Sequence, residues 1–250
     1  AIELDETGMG DVHSQVLHST FNDNGDQEQF PVDVIPEGYE PIEPGEIGPD
    51  GDYADALEEW QGEGRDLEDG FDIDENDEGS IYSKFVNVSA NSNEDEGIDL
   101  DETFNGSITM TGNRIVANDN FGTGIKLTES EDQEGTDGDI IMNVSNVTAN
   151  DSRDSRGFRL EEFQIGDVLG KVVRGTFDGN DSDGARIESI DDGVIDFDFI
   201  NSAFTNNDGD GLQLEERGVV TLVNPMFGGN DDDDINAEDD VEVIIKGKNR

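Results

Sequence analysis

The stretch Gly97-Ile98-Asp99-Leu100-Asp101-Glu102 decides the fold, because the chain repeats it. An earlier copy reads Gly70-Phe71-Asp72-Ile73-Asp74-Glu75. Later copies read Gly124-Ile125-Lys126-Leu127, Gly157-Phe158-Arg159-Leu160-Glu161-Glu162, Gly184-Ala185-Arg186-Ile187-Glu188 and Gly211-Leu212-Gln213-Leu214-Glu215-Glu216. A degenerate copy opens at Asp234-Ile235. The copies lie 27, 27, 33, 27, 27 and 23 residues apart, and the polar insertion from Glu131 to Thr136 accounts for the long interval. Each unit has one grammar. A Gly-apolar-x-apolar strand leads into an acidic pair. A second Gly opens another alternating strand, as in Gly106-Ser107-Ile108-Thr109-Met110, and a third apolar stretch follows. Asn stands four residues before the next copy, at Asn93, Asn120, Asn180, Asn207 and Asn230. Nothing in the unit shows a 3.6-residue period, so helices are not the repeating element.

Three short strands and three turns in ~27 residues describe one coil of a parallel β-helix. Apolar residues at alternate positions point inward and stack on their counterparts ~4.8 Å away. Stacked Asn amides can hydrogen-bond along the axis, which gives the Asn column a role. A propeller blade needs ~40 residues and a leucine-rich repeat needs its Leu/Asn signature, and neither is present. On these residues the chain resembles the right-handed parallel β-helix, pectate-lyase-like superfamily. The resemblance covers residues 70–245 and is architectural. It implies an all-β stack of about seven to eight coils without fixing a function.

Residues Ala1-Ile2-Glu3-Leu4-Asp5-Glu6 match the repeat position by position, and the match continues through Val12, Val16, Phe21 and Asn24. Residues 1–35 therefore read as one further coil and the first strand of another. Residues 36–69 break the pattern. Pro36, Pro41, Pro44 and Pro49 stiffen a connector. Within it, residues 52–60 suit a short helix with Tyr53, Leu57 and Trp60 on one face. Residues 70–250 form the body of the stack. Two arrangements fit the first coil. It can pack on its own chain, with the connector looping out. Alternatively it is donated to the open end of a neighbouring subunit through Ile2, Leu4, Val12, Val16 and Phe21, a head-to-tail contact that builds filaments.

The charge balance narrows the partners. There are 64 acidic residues against 14 basic ones, for a formal net charge of −50. Nucleic acid and anionic membrane surfaces are excluded, since both need clustered Lys and Arg. Cysteine is absent, which excludes disulfides, thiolate metal sites and cysteine nucleophiles. No apolar run approaches ~18 residues, so no membrane insertion is expected. Leu, Ile, Val and Phe together number 62, above the ~20% that marks disorder. The chain is thus a folded β protein with an acidic skin, suited to a high-salt habitat that screens self-repulsion. A start at Ala1 is expected of a chain that has lost a leader or has been trimmed.

Repetition turns positions into columns, and charged columns need counter-charge. The turns Asn180-Asp181-Ser182-Asp183, Asn207-Asp208-Gly209-Asp210 and Asn230-Asp231-Asp232-Asp233 occupy the same offsets in three units. Asp181, Asp183, Asp208, Asp210, Asp231 and Asp233 therefore form a candidate calcium site, because calcium takes ~6–8 oxygens and can bridge adjacent coils. The alternative is a solvated run of turn formers. The outward position of the first strand reads Asp72, Asp99, Lys126, Arg159, Arg186, Gln213. Lys126, Arg159 and Arg186 either pair with the flanking acids or receive an acidic polysaccharide.

The resemblance raises the question of catalysis, since many β-helices cleave acidic polysaccharides. A lyase would take its base from Lys126, Arg159 or Arg186 beside calcium. The polygalacturonase-like members carry an Asn-x-Asp-Gly turn, which Asn180–Gly184 and Asn207–Gly211 partly resemble. They also need a Gly-His-Gly and an Arg-x-Lys, and this chain has neither. The recurrence of the Asp residues suits a structural turn better than a unique active site. Six Asn-x-Ser/Thr sequons, at Asn87, Asn105, Asn143, Asn146, Asn150 and Asn180, suit a glycosylated extracellular protein. The expected function is a secreted or cell-surface structural subunit without catalysis, assembling head to tail, with cations in its acidic turns. A module of a larger adhesin and a calcium-dependent polysaccharide lyase or hydrolase are the alternatives.

Overall fold

A computed structural model describes residues 1–24, 68–76, 78–129, 138–163, 165–190 and 193–247. All strand pairings are parallel, and no helix occurs among the described residues. The first face of the coil stacks β1 (Asp5–Glu6), β4 (Phe71–Glu75), β6 (Ile98–Glu102), β8 (Ile125–Glu129), β10 (Phe158–Glu162), β12 (Ala185–Ser189), the start of β15 (Leu212–Val223) and β17 (Asn236–Ala237). The second stacks β2 (Val12–Leu17), β5 (Ile81–Asn91), β7 (Ile108–Val116), β9 (Ile140–Thr148), β11 (Val168–Asp178), β13 (Ile195–Ile200), the rest of β15 and β18 (Asp240–Lys246). The ends of β5, β7, β9 and β11 bend onto a third face, with β3 (Thr20–Asn22), β14 (Ala203–Thr205) and β16 (Met226–Gly228). This is a right-handed parallel β-solenoid of about six turns, slightly fewer than the seven to eight expected. The turn before the last is shortened at one corner: β15 runs from the first face to the second with Glu216 in the left-handed region (φ 77°), where earlier coils insert a loop.

Register explains why the repeat folds this way. Ile98 pairs with Phe71 and Ile125, Leu100 with Ile73 and Leu127, and every one of these is at most 2% exposed. Burying such a side chain contributes ~1.5–3 kcal/mol, and the stack repeats the gain coil after coil. The third face holds Phe21, Ala90, Ala117, Ala149, Phe177, Phe204 and Phe227 at one register position, and Phe204 stacks on both Phe177 and Phe227.

Two corners are made by left-handed residues. One column is His18, Asn87, Arg114, Asn146, Arg174, Asn201 and Asn224, and the other is Asp23, Ser92, Asp119, Asp151, Gly179, Asn206 and Gly229, all with φ between 48° and 77°. Asn, Asp and Gly tolerate this conformation. Next to the second column runs the Asn ladder. Nδ2 of Asn24 donates to Oδ1 of Asn93, Asn93 to Asn120, Asn180 to Asn207 and Asn207 to Asn230, at 2.8–2.9 Å. Ser152 interrupts the column, and its backbone N–H donates to Asn180 Oδ1. The ladder is the expected one, extended to Asn24.

Residues 1–24 form the coil next to residues 71–91 of their own chain, with Val12 beside Ile81, Val16 beside Phe85 and Phe21 beside Ala90. Residues 25–35, the connector as far as residue 67 and the helix expected at 52–60 lie outside the described residues. So do the residues of the Glu131–Thr136 insertion.

Candidate metal centre

The first face carries the charge, and its two acidic positions have different fates. The first position reads Asp5, Asp74, Asp101, Thr128, Glu161, Glu188, Glu215, exposed at Asp5 and buried at Thr128, Glu161 and Glu188. The second position turns into the corner. Glu75, Glu102, Glu129 and Glu162 are fully buried. The reason is local. Each of these glutamates begins a corner that returns through glycine, and its carboxylate lies against that glycine. Glu102 Oε1 accepts from Phe104 N at 3.1 Å, and Glu6 Oε2 accepts from Gly8 N at 2.9 Å.

Burial pushes the Glu102 carboxyl up to about 8, with the neighbouring Glu75 adding to the rise while the Phe104 and Gly106 N–H groups oppose it. Burial likewise raises Asp74 to about 6 and Glu188 to about 7. These carboxyls stay neutral in the fold at pH values where the unfolded chain ionises them. Their stabilising contribution is thus complete below pH ~4 and is lost as pH rises toward 8. We expect the urea midpoint at fixed high salt and in chelator to fall between pH 5 and pH 8, and Glu102→Gln to flatten that slope. A midpoint that climbs over this range would contradict the assignment.

The basic stripe spends its charge inside the fold. Lys126 Nζ lies 2.7 Å from Asp99 Oδ2 and 3.3 Å from Asp101 Oδ2. Arg159 pairs with Glu161, and Arg186 reaches Glu188 and Glu215 at 2.6 Å and Glu161 at 3.6 Å. For Lys126, burial alone lowers the pKa, but Asp99, Asp101 and Glu96 outweigh it and the net shift is upward. The ammonium is therefore held as a cation.

The corner before the recurring glycine forms another column: Asp69, Glu96, Thr123, Arg156, Asp183, Asp210, Asp233. Two of the six expected calcium ligands serve here as backbone acceptors. Asp183 Oδ1 accepts from Asp210 N (2.9 Å) and its Oδ2 from Arg156 Nε (2.9 Å). Asp210 Oδ1 accepts from Asp233 N (3.0 Å) and its Oδ2 from Asn236 Nδ2 (2.8 Å). Asp181, Asp208, Asp231 and Asp233 are exposed. Among the described residues, three carboxylates converge instead at the N-terminal end of this column. One oxygen from each of Asp69, Glu96 and Asp99 lies within 4.8 Å of the others.

Asp69 is 4% exposed and Asp99 5%. Asp69 Oδ1 accepts from Glu96 N at 2.6 Å, which holds the two coils in register. Asp99 gives Oδ2 to Lys126, while its Oδ1 is buried with no hydrogen-bond partner. Burial, followed by Asp99, Glu96, Asp72 and Asp95, drives the Asp69 carboxyl up to about 11. Glu96 rises well above the usual range through burial, then Asp99 and a hydrogen bond with Asp95. Asp99 rises to about 8 through burial and Asp101, with Lys126 opposing. So many carboxyls cannot ionise together beside a single ammonium without a further cation or protons. Sequence reasoning missed this cluster because it ended the connector at residue 69. Carrying the alignment of Gly70 with Gly97 one residue back would have set Asp69 beside Glu96.

The sequons divide by environment. Asn105 and Asn143 are exposed. Asn146 Oδ1 accepts from Arg174 and Asn150 Oδ1 from Asp178 N, while Asn87 meets His18 and Arg114. Asn180 is fully buried and its amide nitrogen donates to Asn207, so the folded chain cannot carry a glycan there. That position belongs to the ladder. Comparison with family models, curated proteins and solved structures finds nothing that matches this chain.

Proposed function

We propose that the protein is a non-catalytic structural solenoid of the cell surface or extracellular space that associates head to tail. The observation that carries this reading is the state of the two end coils. Ile2 and Leu4 continue the inward columns of Phe71 and Ile73, yet they are 39% and 42% exposed where their neighbours are at most 2%. At the other end Ile245 pairs with Leu222 and is 48% exposed against 0%. Both ends thus offer apolar positions and strand edges at the same repeat, and a second copy would extend the stack in register. Strand edges that carry no partner among the described residues invite pairing, and a heterologous contact propagates into a filament. The internal pairing of Lys126, Arg159 and Arg186 favours a structural role for the stripe over glycan binding or catalysis. The extracellular placement rests on the exposed sequons at Asn105 and Asn143.

Acidic groups crowd both ends, with Asp5 and Asp11 at one and Asp239, Asp240 and Glu242 at the other. Association should therefore need salt, since the screening length falls from ~30 Å at 0.01 M to ~3 Å at 1 M. Sedimentation velocity across protein concentration in high salt is expected to show growing polymers. Leu4→Glu and Ile245→Glu should each stop growth, and an equimolar mixture of the two should stop at dimers. A wild-type chain that stays monomeric at every concentration and salt would reject the reading. Incubation with polyuronates should release no unsaturated or reducing ends; release abolished by Arg159→Ala would establish catalysis instead.

A further inference from the structure

We propose that Asp69, Glu96 and Asp99 form a binding site for one divalent cation of the calcium type, which clamps two adjacent coils at the N-terminal corner. The inference concerns one ion at one corner and stands whether or not the chain polymerises. Three observations converge on it. The first is geometric. Three carboxylate oxygens lie within 4.8 Å of one another, inside the ~5.2 Å that twice the longer calcium–oxygen distance of ~2.6 Å allows. Magnesium dehydrates reluctantly and usually keeps several waters, so a set of protein carboxylates favours calcium.

The second is the orphaned oxygen. Asp99 is 5% exposed, its Oδ2 is engaged by Lys126, and the remaining Oδ1 is buried without a hydrogen-bond partner. A buried carboxylate oxygen in that state costs free energy unless something binds it. A cation among the three carboxylates supplies the partner. The third is donor chemistry. The cluster contains only carboxylate ligands, with neither His nor thiolate, and hard oxygen sets select calcium-like ions over zinc or copper.

The location gives the ion a task. Asp69 belongs to one coil, and Glu96 and Asp99 to the next, already joined by the bond from Glu96 N to Asp69 Oδ1. A bridging ion adds a second clamp where residues 68–70 enter the stack. Further along the same column, Arg156 Nε holds Asp183 Oδ2 and Thr123 Oγ1 contacts Ser155 Oγ. At those coils the chain supplies its own partners, and at Asp69 and Glu96 the column is acidic in both.

The test is calorimetric titration of calcium chloride into the full-length, chelator-stripped protein, in ~1 M sodium chloride so that the acidic skin is screened. One saturable site is expected, with a thermal midpoint that rises with calcium as mass action requires. Glu96→Gln and Asp99→Asn should each weaken the site by about tenfold or more, whereas Asp208→Asn should leave it unchanged. Glu96→Gln keeps the bond between Lys126 and Asp99 available, so its far-ultraviolet circular dichroism should match wild type and separate lost binding from lost fold. Calcium binding that is equal in wild type and in folded Glu96→Gln would overturn the site, as would binding lost on Asp208→Asn.

Discussion

Replacing Gly106 by alanine should cost about 4 kcal/mol or more of folding stability. A Cβ at Gly106 would lie 1.5 Å from the Gly79 carbonyl oxygen, far inside contact distance. The same approach recurs up the column, at 1.6 Å for Gly138 on Gly106 and 1.4 Å for Gly166 on Gly138. The blocking atom is backbone, so no side chain can swing aside. Relief requires the two coils to separate, which strains the bonds from Ile81 N to Ser107 O and from Thr103 N to Glu75 O, each near 3.0 Å. Each ladder bond is worth ~1 kcal/mol net, and the apolar column beneath opens with them. Gly8→Ala is the control, because its nearest neighbour is the flexible end of Glu6 at 2.9 Å. Urea unfolding of both variants checks the claim. A Gly106→Ala chain within about 0.5 kcal/mol of wild type, the range of an ordinary surface change, would show that the coils do not close as described.

Asn207→Asp is the second substitution with a large expected effect, at about 3–5 kcal/mol near neutral pH. The change swaps one nitrogen for oxygen and leaves volume alone. Asn207 is fully buried, and its Nδ2 donates to Asn230 Oδ1 at 2.9 Å and to Phe177 O at 3.3 Å. Its Oδ1 accepts from both Asn180 N and Asn180 Nδ2. In the variant an acceptor faces two acceptors, and a charge sits in the core without a cation. Protonation restores one donor, so the loss should shrink as pH falls toward 4. Denaturant melts at two pH values separate this from a packing defect, which would be independent of pH.

The coil was legible from the sequence because repetition at a fixed spacing reveals register before any coordinate is known. Gly97 through Glu102 could be laid on Gly70 through Glu75, and the pairing of Ile98 with Phe71 and of Leu100 with Ile73 follows from that alignment. The Asn ladder and the stripe at Asp99, Lys126 and Arg159 follow in the same way. The acidic cluster was only half legible. Glu96 and Asp99 lie inside the repeat, but Asp69 adjoins the connector, where Pro and Gly hide the alignment. The left-handed corners were less visible still. Asn and Asp announce them at Asn87 and Asp119, whereas Arg114 and His18 do not.

What the amino-acid order alone determined is the columns: which residue types stack, and which alternate positions face the core. Only the tertiary structure decided what each column does at a corner. Two adjacent carboxylates such as Asp101 and Glu102 look equivalent in a string, since both follow an apolar strand. The strand's two-residue period places them on opposite faces, and the corner folds the longer one inward, where backbone N–H groups receive it. Likewise, Asp69, Glu96 and Asp99 meet because the turn closes tightly against the next coil. That distance is set by the path of the backbone in three dimensions and by no spacing along it.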